Sequence, residues 1–228
     1  MKATSIIKPQ PIENFNKKRT IFIPFDPNKG IIKKLVQAQA IKSQLLYQSK
    51  VYLLKDKIIL LEAMGAPAAV LALERLIASG SKEIIVLSFC GSLNPEIPIG
   101  SVVLINKAYS NEGTSKHYFP EKKVFQSSKK LYLEIENILK NHSLSYFKSS
   151  IVSTDAPFRE TFFWAKKMQQ KGIDCVDMEI SAVYALAKFY HIEAASLMIV
   201  SDELTKDKWI SSFSQLDEKI KEYFFIFI

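Results

Sequence analysis

Cysteine and histidine are scarce in this chain of 228 residues, which contains two cysteines and three histidines. Cys90 and Cys175 both lie in apolar stretches typical of strands. They are therefore expected to be buried thiols of a reducing compartment and not parts of a disulfide framework. No Cys and His residues have the spacing of a structural zinc site, so the sequence predicts no metal.

Long apolar runs and targeting signals are also missing. No apolar run reaches the ~20 residues that a membrane-spanning helix needs. The first residues, from Met1 to Pro9, lack the apolar core of a signal peptide. These two features predict a cytoplasmic protein with no membrane partner.

Long runs of positive charge are absent too, although the formal net charge is +8. The lysines are scattered in short pairs, such as Lys33-Lys34 and Lys122-Lys123, and no basic stripe alternates with aromatic residues. This distribution is typical of a solvated surface and not of a nucleic-acid-binding face. We therefore expect no nucleic-acid partner.

The signatures of two enzyme classes do not occur. No Gly-x-Gly-x-x-Gly turn follows the first predicted strand, which argues against a dinucleotide-binding oxidoreductase. Cys90 and Ser92 lack a Gly-x-Ser-x-Gly context, which argues against a hydrolase with either residue as its nucleophile.

The residues that are present predict a folded α/β protein. Apolar residues make up 48% of the chain and charged residues 24%, which is enough for a substantial core. Strands alternate with helices through most of the chain, which favours one domain around a mixed, largely parallel sheet. Residues 1–19, with Pro9 and Pro11, are expected to form an extended lead-in, and residues 20–228 the single domain. Within it, residues 30–49 are expected to form one helix.

The most informative stretch runs from Cys175 to Glu203. Its first part is predicted to be a helix that is apolar on nearly every side and is therefore buried. Glu179 is expected in the first turn of this helix, beside Asp177. A carboxylate at that position is favoured by the positive end of the helix dipole.

The second part of this stretch is a continuous apolar run, residues 195–200, typical of a strand covered on both faces. Ligands in open α/β sheets bind beyond the carboxyl ends of the strands. Asp202 follows this strand and is therefore a candidate catalytic acid. The alternative interpretation makes Asp177 a helix cap and Asp202 an ordinary loop residue.

The motif Val-Asp-Met-Glu-x-x-Ala, followed about twenty residues later by Val-Ser-Asp, resembles the nucleoside phosphorylase superfamily. The resemblance covers roughly residues 20–225 and implies a single-domain three-layer sandwich around the central sheet. It implies that Met178 and Glu179 bind the ribose, and that Asp202 protonates or hydrogen-bonds the departing base. In that family a basic residue after this Asp often contacts it, so Lys206 or Lys208 is expected there.

Further segments carry the same resemblance. The loop with Met64 precedes a helix, as the sugar-binding loop of the family does. Glu-Gly-Thr-Ser-x-His-Tyr places His117 at the active site and subunit edge. The implied base-binding residues are Cys90, Gly91, Phe158, Arg159 and Asp202.

Some of these segments have an alternative interpretation that does not involve a ligand. Phe158 would then be a core residue and Arg159 an ion-pair partner of Glu160. His117 would be a packed or exposed surface histidine.

The phosphate-binding motifs of the family are altered in this chain. Phe25 stands in place of a Gly, Val86 in place of an Arg, and Phe89 in place of a Thr or Ser. Lys29 stands in place of a second Arg and can still offer a point charge to phosphate.

The resemblance therefore implies an enzyme that cleaves the N-glycosidic bond of a purine or pyrimidine nucleoside, with inorganic phosphate as acceptor and no cofactor. A hydrolytic nucleosidase and a non-catalytic nucleoside-binding or base-binding protein are the alternatives. Nucleoside or base and phosphate are the expected ligands. A homodimer or higher homo-oligomer is expected, because the family usually builds its sites between subunits.

Overall fold

The computed structural model describes residues 5–27, 30–204 and 209–228. Its described strands are β1 (Arg19–Ile23), β2 (Lys42–Leu46), β3 (Ser49–Leu53), β4 (Lys57–Leu61), β5 (Glu83–Ser92), β6 (Val102–Asn111), β7 (Val124–Gln126), β8 (Phe147–Thr154), β9 (Cys175–Asp177), β10 (Glu193–Glu203) and β11 (Ile210–Ser211). Its described helices are α1 (Ile31–Gln39), α2 (Ala66–Ala78), α3 (Ser115–Tyr118), α4 (Lys129–Asn141), α5 (Phe162–Gln170), α6 (Ile180–Tyr190) and α7 (Asp217–Tyr223).

All of the described strands belong to one mixed sheet. The sheet has the order β11-β10-β6-β8-β9-β5-β1-β4-β3-β2, and β7 pairs with β6. The longest parallel registers join β10 to β5 and β8 to β6. Because β5 pairs with both β10 and β9, the strands β5, β10, β6, β8 and β9 close into a ring. This closure brings the last residues of β5 and β10 next to β9.

Helices cover both faces of this sheet. One hydrophobic core contains the buried side chains of α2 and α6, and the other contains those of α1, α4 and α7. The three layers predicted from the resemblance are therefore present. Cys90 and Cys175 are both buried free thiols, as predicted.

The helix predicted over residues 30–49 is wrong in its second half. Helix α1 ends at Gln39, and the chain then forms the antiparallel hairpin of β2 and β3. Tyr47 lies in the turn of this hairpin with a positive φ of 57°. Pairing with β3 satisfies the backbone N–H and C=O groups of β2 that face β3, although Ile41 and Leu45 remain exposed. Ile41 and Leu45 are four positions apart, a spacing that also occurs on one face of a helix, and this led to the wrong prediction.

The helix predicted from Cys175 onward begins later than expected. Residues Cys175–Asp177 form β9, and α6 begins at Ile180. The ring closure of the sheet explains this difference, because β9 fills the gap between β8 and β5. Glu179 therefore precedes the first turn of the helix.

The described part of the predicted N-terminal lead-in, residues 5–19, contains no helix or strand before β1 begins at Arg19. It nevertheless contacts the domain, because Ile12 and Phe15 are buried in the core beside α2. The boundary between lead-in and domain stays a prediction. In residues 5–27, 30–204 and 209–228, no helix has the length and apolar character needed to cross a membrane. The cytoplasmic location also stays a prediction.

Candidate functional site

Glu179 lies between the end of β9 and the start of α6, with its side chain buried. Its carboxyl group accepts a hydrogen bond from the backbone N–H of Gly65 at 2.5 Å. Gly65 precedes α2 and has a φ of 89°, which favours glycine. The pKa of Glu179 is raised well above its usual range, mainly by burial and to a smaller extent by the charge of Asp177. No described Lys or Arg forms an ion pair with Glu179.

Asp177 orients the start of α6. Its Oδ2 accepts hydrogen bonds from the backbone N–H groups of Glu179 at 2.9 Å and Ile180 at 2.7 Å. The hydroxyl of Ser153 donates to its Oδ1 at 2.6 Å. The interpretation of Asp177 as a helix cap is thus confirmed. By fixing the first turn of α6, Asp177 also fixes the backbone of Glu179.

Glu112 connects the end of β6 to α6. It accepts hydrogen bonds from Ser110 Oγ at 2.7 Å, Ser181 Oγ at 2.9 Å and the backbone N–H of Ser115 at 3.0 Å. Burial by itself would raise the pKa of Glu112. The hydrogen bonds, of which that from Ser115 has the largest effect, bring this pKa below its usual value. Glu112 therefore holds the segment with His117 against α6. His117 itself is exposed on α3.

Asp202 lies in the last part of β10, where a bulge after Val200 brings it opposite Gly91 of β5. Ser201 Oγ donates to its Oδ1 at 2.7 Å, and Trp209 Nε1 donates to its Oδ2 at 2.8 Å. Asp202 is therefore part of a strand and has two defined hydrogen-bond partners. The alternative interpretation, in which it is an ordinary loop residue, is wrong.

Gly91 of β5 pairs with Asp202 of β10 on one side and with Val176 of β9 on the other. A Cβ atom at Gly91 would lie 3.0 Å from Asp202 Oδ2 and 3.0 Å from Val176 Cγ1. Val176 precedes Met178 and Glu179 by two and three residues. The strand that leads into Met178 and Glu179 and the strand that carries Asp202 therefore both pair with β5 at Gly91.

Glu160 is a further acidic residue with a perturbed pKa, and it was not predicted from the sequence. Its carboxyl group is partly buried, and it forms no hydrogen bond or ion pair with another described residue. The pKa of Glu160 is raised to about 7, mainly by burial and to a smaller extent by the charges of Asp202 and Asp177. Glu160 therefore lies within the electrostatic reach of both aspartates. Its position directly after the predicted base-binding pair Phe158-Arg159 was the signal that could have identified it.

The predicted residues at the mouth of the site are largely exposed. Phe158 is fully exposed, so the alternative that it is a core residue is wrong. Arg159 is also exposed and forms no ion pair with Glu160. Met64 is 60% exposed, and Met178 is partly buried. Cys90 lies buried directly before Gly91. Ribose or base binding by these residues stays a prediction.

Aromatic side chains cluster around Phe89, where the resemblance expects a hydroxyl for phosphate. The ring centroid of Phe89 lies 6.5 Å from that of Phe25, 6.0 Å from that of Phe213 and 5.6 Å from that of Phe224. Val86 is fully buried in the core. We call Phe25, Phe89, Phe213 and Phe224 the phenylalanine cluster. The cluster makes this region apolar.

Three lysines predicted to act at the site lie outside the described residues: Lys29, Lys206 and Lys208. Among the residues that are described, no group of three or more His, Cys, Asp or Glu side chains could hold a metal ion.

Comparison with known proteins connects this geometry to a family. The family model described as the phosphorylase superfamily matches residues 37–223. A DeoD-type purine nucleoside phosphorylase of Streptococcus pneumoniae is 29% identical over 143 residues, which are 62% of this chain and 61% of that protein. The match therefore spans less than two thirds of that relative.

Two solved structures share the fold. A purine nucleoside phosphorylase of Toxoplasma gondii, solved in complex with immucillin-H, has a TM-score of 0.72 and 20% identity; the match covers 89% of this chain and 85% of that one. A uridine phosphorylase of Vibrio fischeri has a TM-score of 0.71 and 22% identity, with 96% of this chain and 91% of that one covered.

Proposed function

Because this chain belongs to the phosphorylase superfamily, we propose that it cleaves the N-glycosidic bond of a purine nucleoside and transfers the ribosyl group to phosphate. One observation carries this proposal: β9, which leads into Glu179, and Asp202 of β10 both pair with Gly91 of β5. A nucleoside placed there would have an acidic group at its sugar and another at its base.

Glu179 suits the sugar end of such a substrate. A carboxylate has about four lone-pair positions, and the N–H of Gly65 occupies one of them. The others can accept hydrogen bonds from ribose hydroxyls. Burial, followed by the charge of Asp177, raises the pKa of Glu179 to about 8, and the positive charge that the ribose gains as the glycosidic bond breaks favours the ionised form of this side chain. The resulting buried carboxylate interacts more strongly with that charge than with the neutral sugar.

Asp202 suits the base end. The breaking bond leaves its electron pair on the base, and a proton or hydrogen bond from a positioned acid stabilises that charge. A purine offers a ring nitrogen that can take this proton. The purine relative supports this base class.

Phosphate is proposed as the acceptor because the relative is a phosphorylase. The phenylalanine cluster favours a second candidate function, hydrolysis by water. A phosphate dianion needs cations or N–H and O–H donors, whereas the rings of Phe25 and Phe89 offer none. Phosphorolysis would then depend on a cation such as Lys29 or one from another subunit.

The proposal is tested by incubating the purified protein with a panel of purine and pyrimidine nucleosides, with and without phosphate, and measuring free base. We expect release of purine bases that requires phosphate and forms ribose 1-phosphate. Release without phosphate would select the nucleosidase. Saturable base binding without any release would select the non-catalytic alternative.

We also propose that the protein forms a homodimer or higher homo-oligomer. His117, Met64 and Phe163 expose their side chains, and Phe163 is 82% exposed. Phe163 lies beside Phe162, which is 47% exposed, with 6.0 Å between the two ring centroids. Adjacent exposed aromatic side chains are typical of contact surfaces. Light scattering coupled to size-exclusion chromatography would measure the mass, and a monomer at micromolar concentration would contradict this proposal.

A further inference from the structure

Trp209 contacts Asp202 because a hairpin returns the chain to the site. Strand β11 pairs antiparallel with β10, with Asp202 opposite Ser211. The backbone N–H of Ser212 extends this pairing by donating to the carbonyl of Ser201 at 3.0 Å. Trp209 directly precedes β11, so the register of the hairpin places its indole beside the carboxylate. The distance from Nε1 to Oδ2 is 2.8 Å.

The two oxygens of Asp202 have different kinds of partner. Ser201 Oγ donates to Oδ1, but it also lies 3.3 Å from the carbonyl oxygen of Cys90 and can rotate toward it. The indole N–H of Trp209 is a donor only and cannot exchange roles. It is also neutral, and Asp202 forms no ion pair with any Lys or Arg that the structure describes.

Burial does not force this contact, because the Trp209 side chain is 65% exposed. A tryptophan that needed only to cover apolar surface would gain more by turning its ring into the protein. The position of the ring is therefore defined by the hairpin and by its hydrogen bond to Asp202.

We propose that Trp209 is the positioning residue of Asp202, whose carboxyl group it orients for proton donation to the departing base. This inference rests on the proposed function. In this cleavage step, an oxygen of phosphate forms a bond to the anomeric carbon of the ribose as the glycosidic bond breaks, the electron pair of the broken bond goes to the base, and the proton of Asp202 goes to a ring nitrogen of the base. Asp202 is left as a carboxylate, and the N–H of Trp209 then makes a charge-assisted hydrogen bond to it.

The contact can be tested without any turnover by NMR of the indole N–H groups. The chain has two tryptophans, so Trp164→Phe assigns the two signals. Asp202→Ala should shift the Trp209 signal, whereas Glu203→Ala, which removes the neighbouring carboxylate of the same strand, should leave it in place. A Trp209 signal that ignores Asp202→Ala would overturn the proposal, whether or not the protein is an enzyme.

The role of Trp209 in the step is tested with two substrates. Trp209→Phe should lower kcat for inosine by about 10-fold and leave KM unchanged. It should leave kcat for 4-nitrophenyl β-D-riboside unchanged, since nitrophenolate departs without a proton. Trp164→Phe is the matched control. Equal losses on both substrates, or no loss on inosine, would contradict the positioning role. If the wild type cleaves neither substrate, the proposed function fails, and the NMR experiment still decides whether Trp209 holds Asp202.

Discussion

The backbone N–H of Gly65 donates a hydrogen bond to the carboxyl group of Glu179 at 2.5 Å, although the two residues are 114 positions apart in the sequence. Gly65 precedes α2 and Glu179 precedes α6, and both helices belong to the same hydrophobic core. The proposed ribose-binding carboxylate is therefore oriented by the starts of two packed helices.

Gly65→Ala should reduce activity by more than its effect on stability explains. Gly65 has φ 89° and ψ 146°, a conformation that strains an alanine, at a cost of about 1–3 kcal/mol. Relief of that strain would move the N–H away from Glu179. Gly80→Ala is a matched control, because Gly80 has φ 109° and equally open space at the other end of α2. Urea unfolding should show similar losses for both variants, whereas kcat/KM should fall for Gly65→Ala alone.

Gly91→Ala should reduce kcat/KM by about 10-fold, since a displacement of 1 Å can cost roughly 100-fold and the shift expected here is smaller. The new Cβ would lie 2.7 Å from Leu204 Cδ1 and 3.0 Å from Asp202 Oδ2, so the Leu204 side chain must move and the Asp202 carboxyl group must shift by less. Gly113→Ala is the control, because the nearest atom there is 3.4 Å away. Circular dichroism would establish that both variants fold. Wild-type kinetics in a folded Gly91→Ala variant would remove Gly91 from the site.

The stability of the protein should decrease with pH because of Glu179. In the unfolded chain this carboxyl group titrates near its ordinary value of about 4.3. In the folded protein, burial and then Asp177 raise its pKa. Above the ordinary range the folded state thus binds more protons than the unfolded state, so the free energy of unfolding falls as pH rises.

Glu179→Gln removes this titration. The free energy of unfolding of the variant, minus that of the wild type, should therefore grow as pH rises from about 4 toward 8. Urea unfolding at several pH values measures this difference. Glu222→Gln, at an exposed ion pair with Lys219, is the control and should show no such trend. A difference that does not change with pH would show that Glu179 titrates normally.

Phe89→Ala should lower the free energy of unfolding by about 3–5 kcal/mol, because it opens a cavity in the phenylalanine cluster. Phe89 is 8% exposed and contacts the rings of Phe25, Phe213 and Phe224. Phe147→Ala, at a 44% exposed position, should have an effect of about 1 kcal/mol or less. Chemical denaturation measures both. Equal, small losses would mean that the cluster is not packed in solution.

The sequence was sufficient for the architecture and for part of the site. Alternation of strands and helices predicted the α/β fold, and the Met178-Glu179 motif predicted the family. It was insufficient for residues 42–46, because the apolar spacing of this edge strand coincides with a helical period. Edge strands of this kind are stabilised by pairing with a neighbour, which no local pattern records.

The relations of Asp202 with Trp209 and with Glu160 could not be predicted either. The first depends on the register of a hairpin, and the second on the approach of a loop after β8 to the end of β10. Both are consequences of tertiary structure and leave no spacing signature in the sequence. The capping role of Asp177 could be predicted, since its three-residue distance from Ile180 is local.

The central claim is that Glu179 acts at the sugar and Asp202 at the base of one glycosidic bond. Its most direct test compares Asp202→Asn and Glu179→Gln on inosine and on 4-nitrophenyl β-D-riboside. Asp202→Asn should lower kcat/KM for inosine by ~100-fold or more and spare the nitrophenyl substrate. Glu179→Gln should lower kcat/KM for both substrates, because both carry the ribose. Full activity of both variants on inosine would contradict the account.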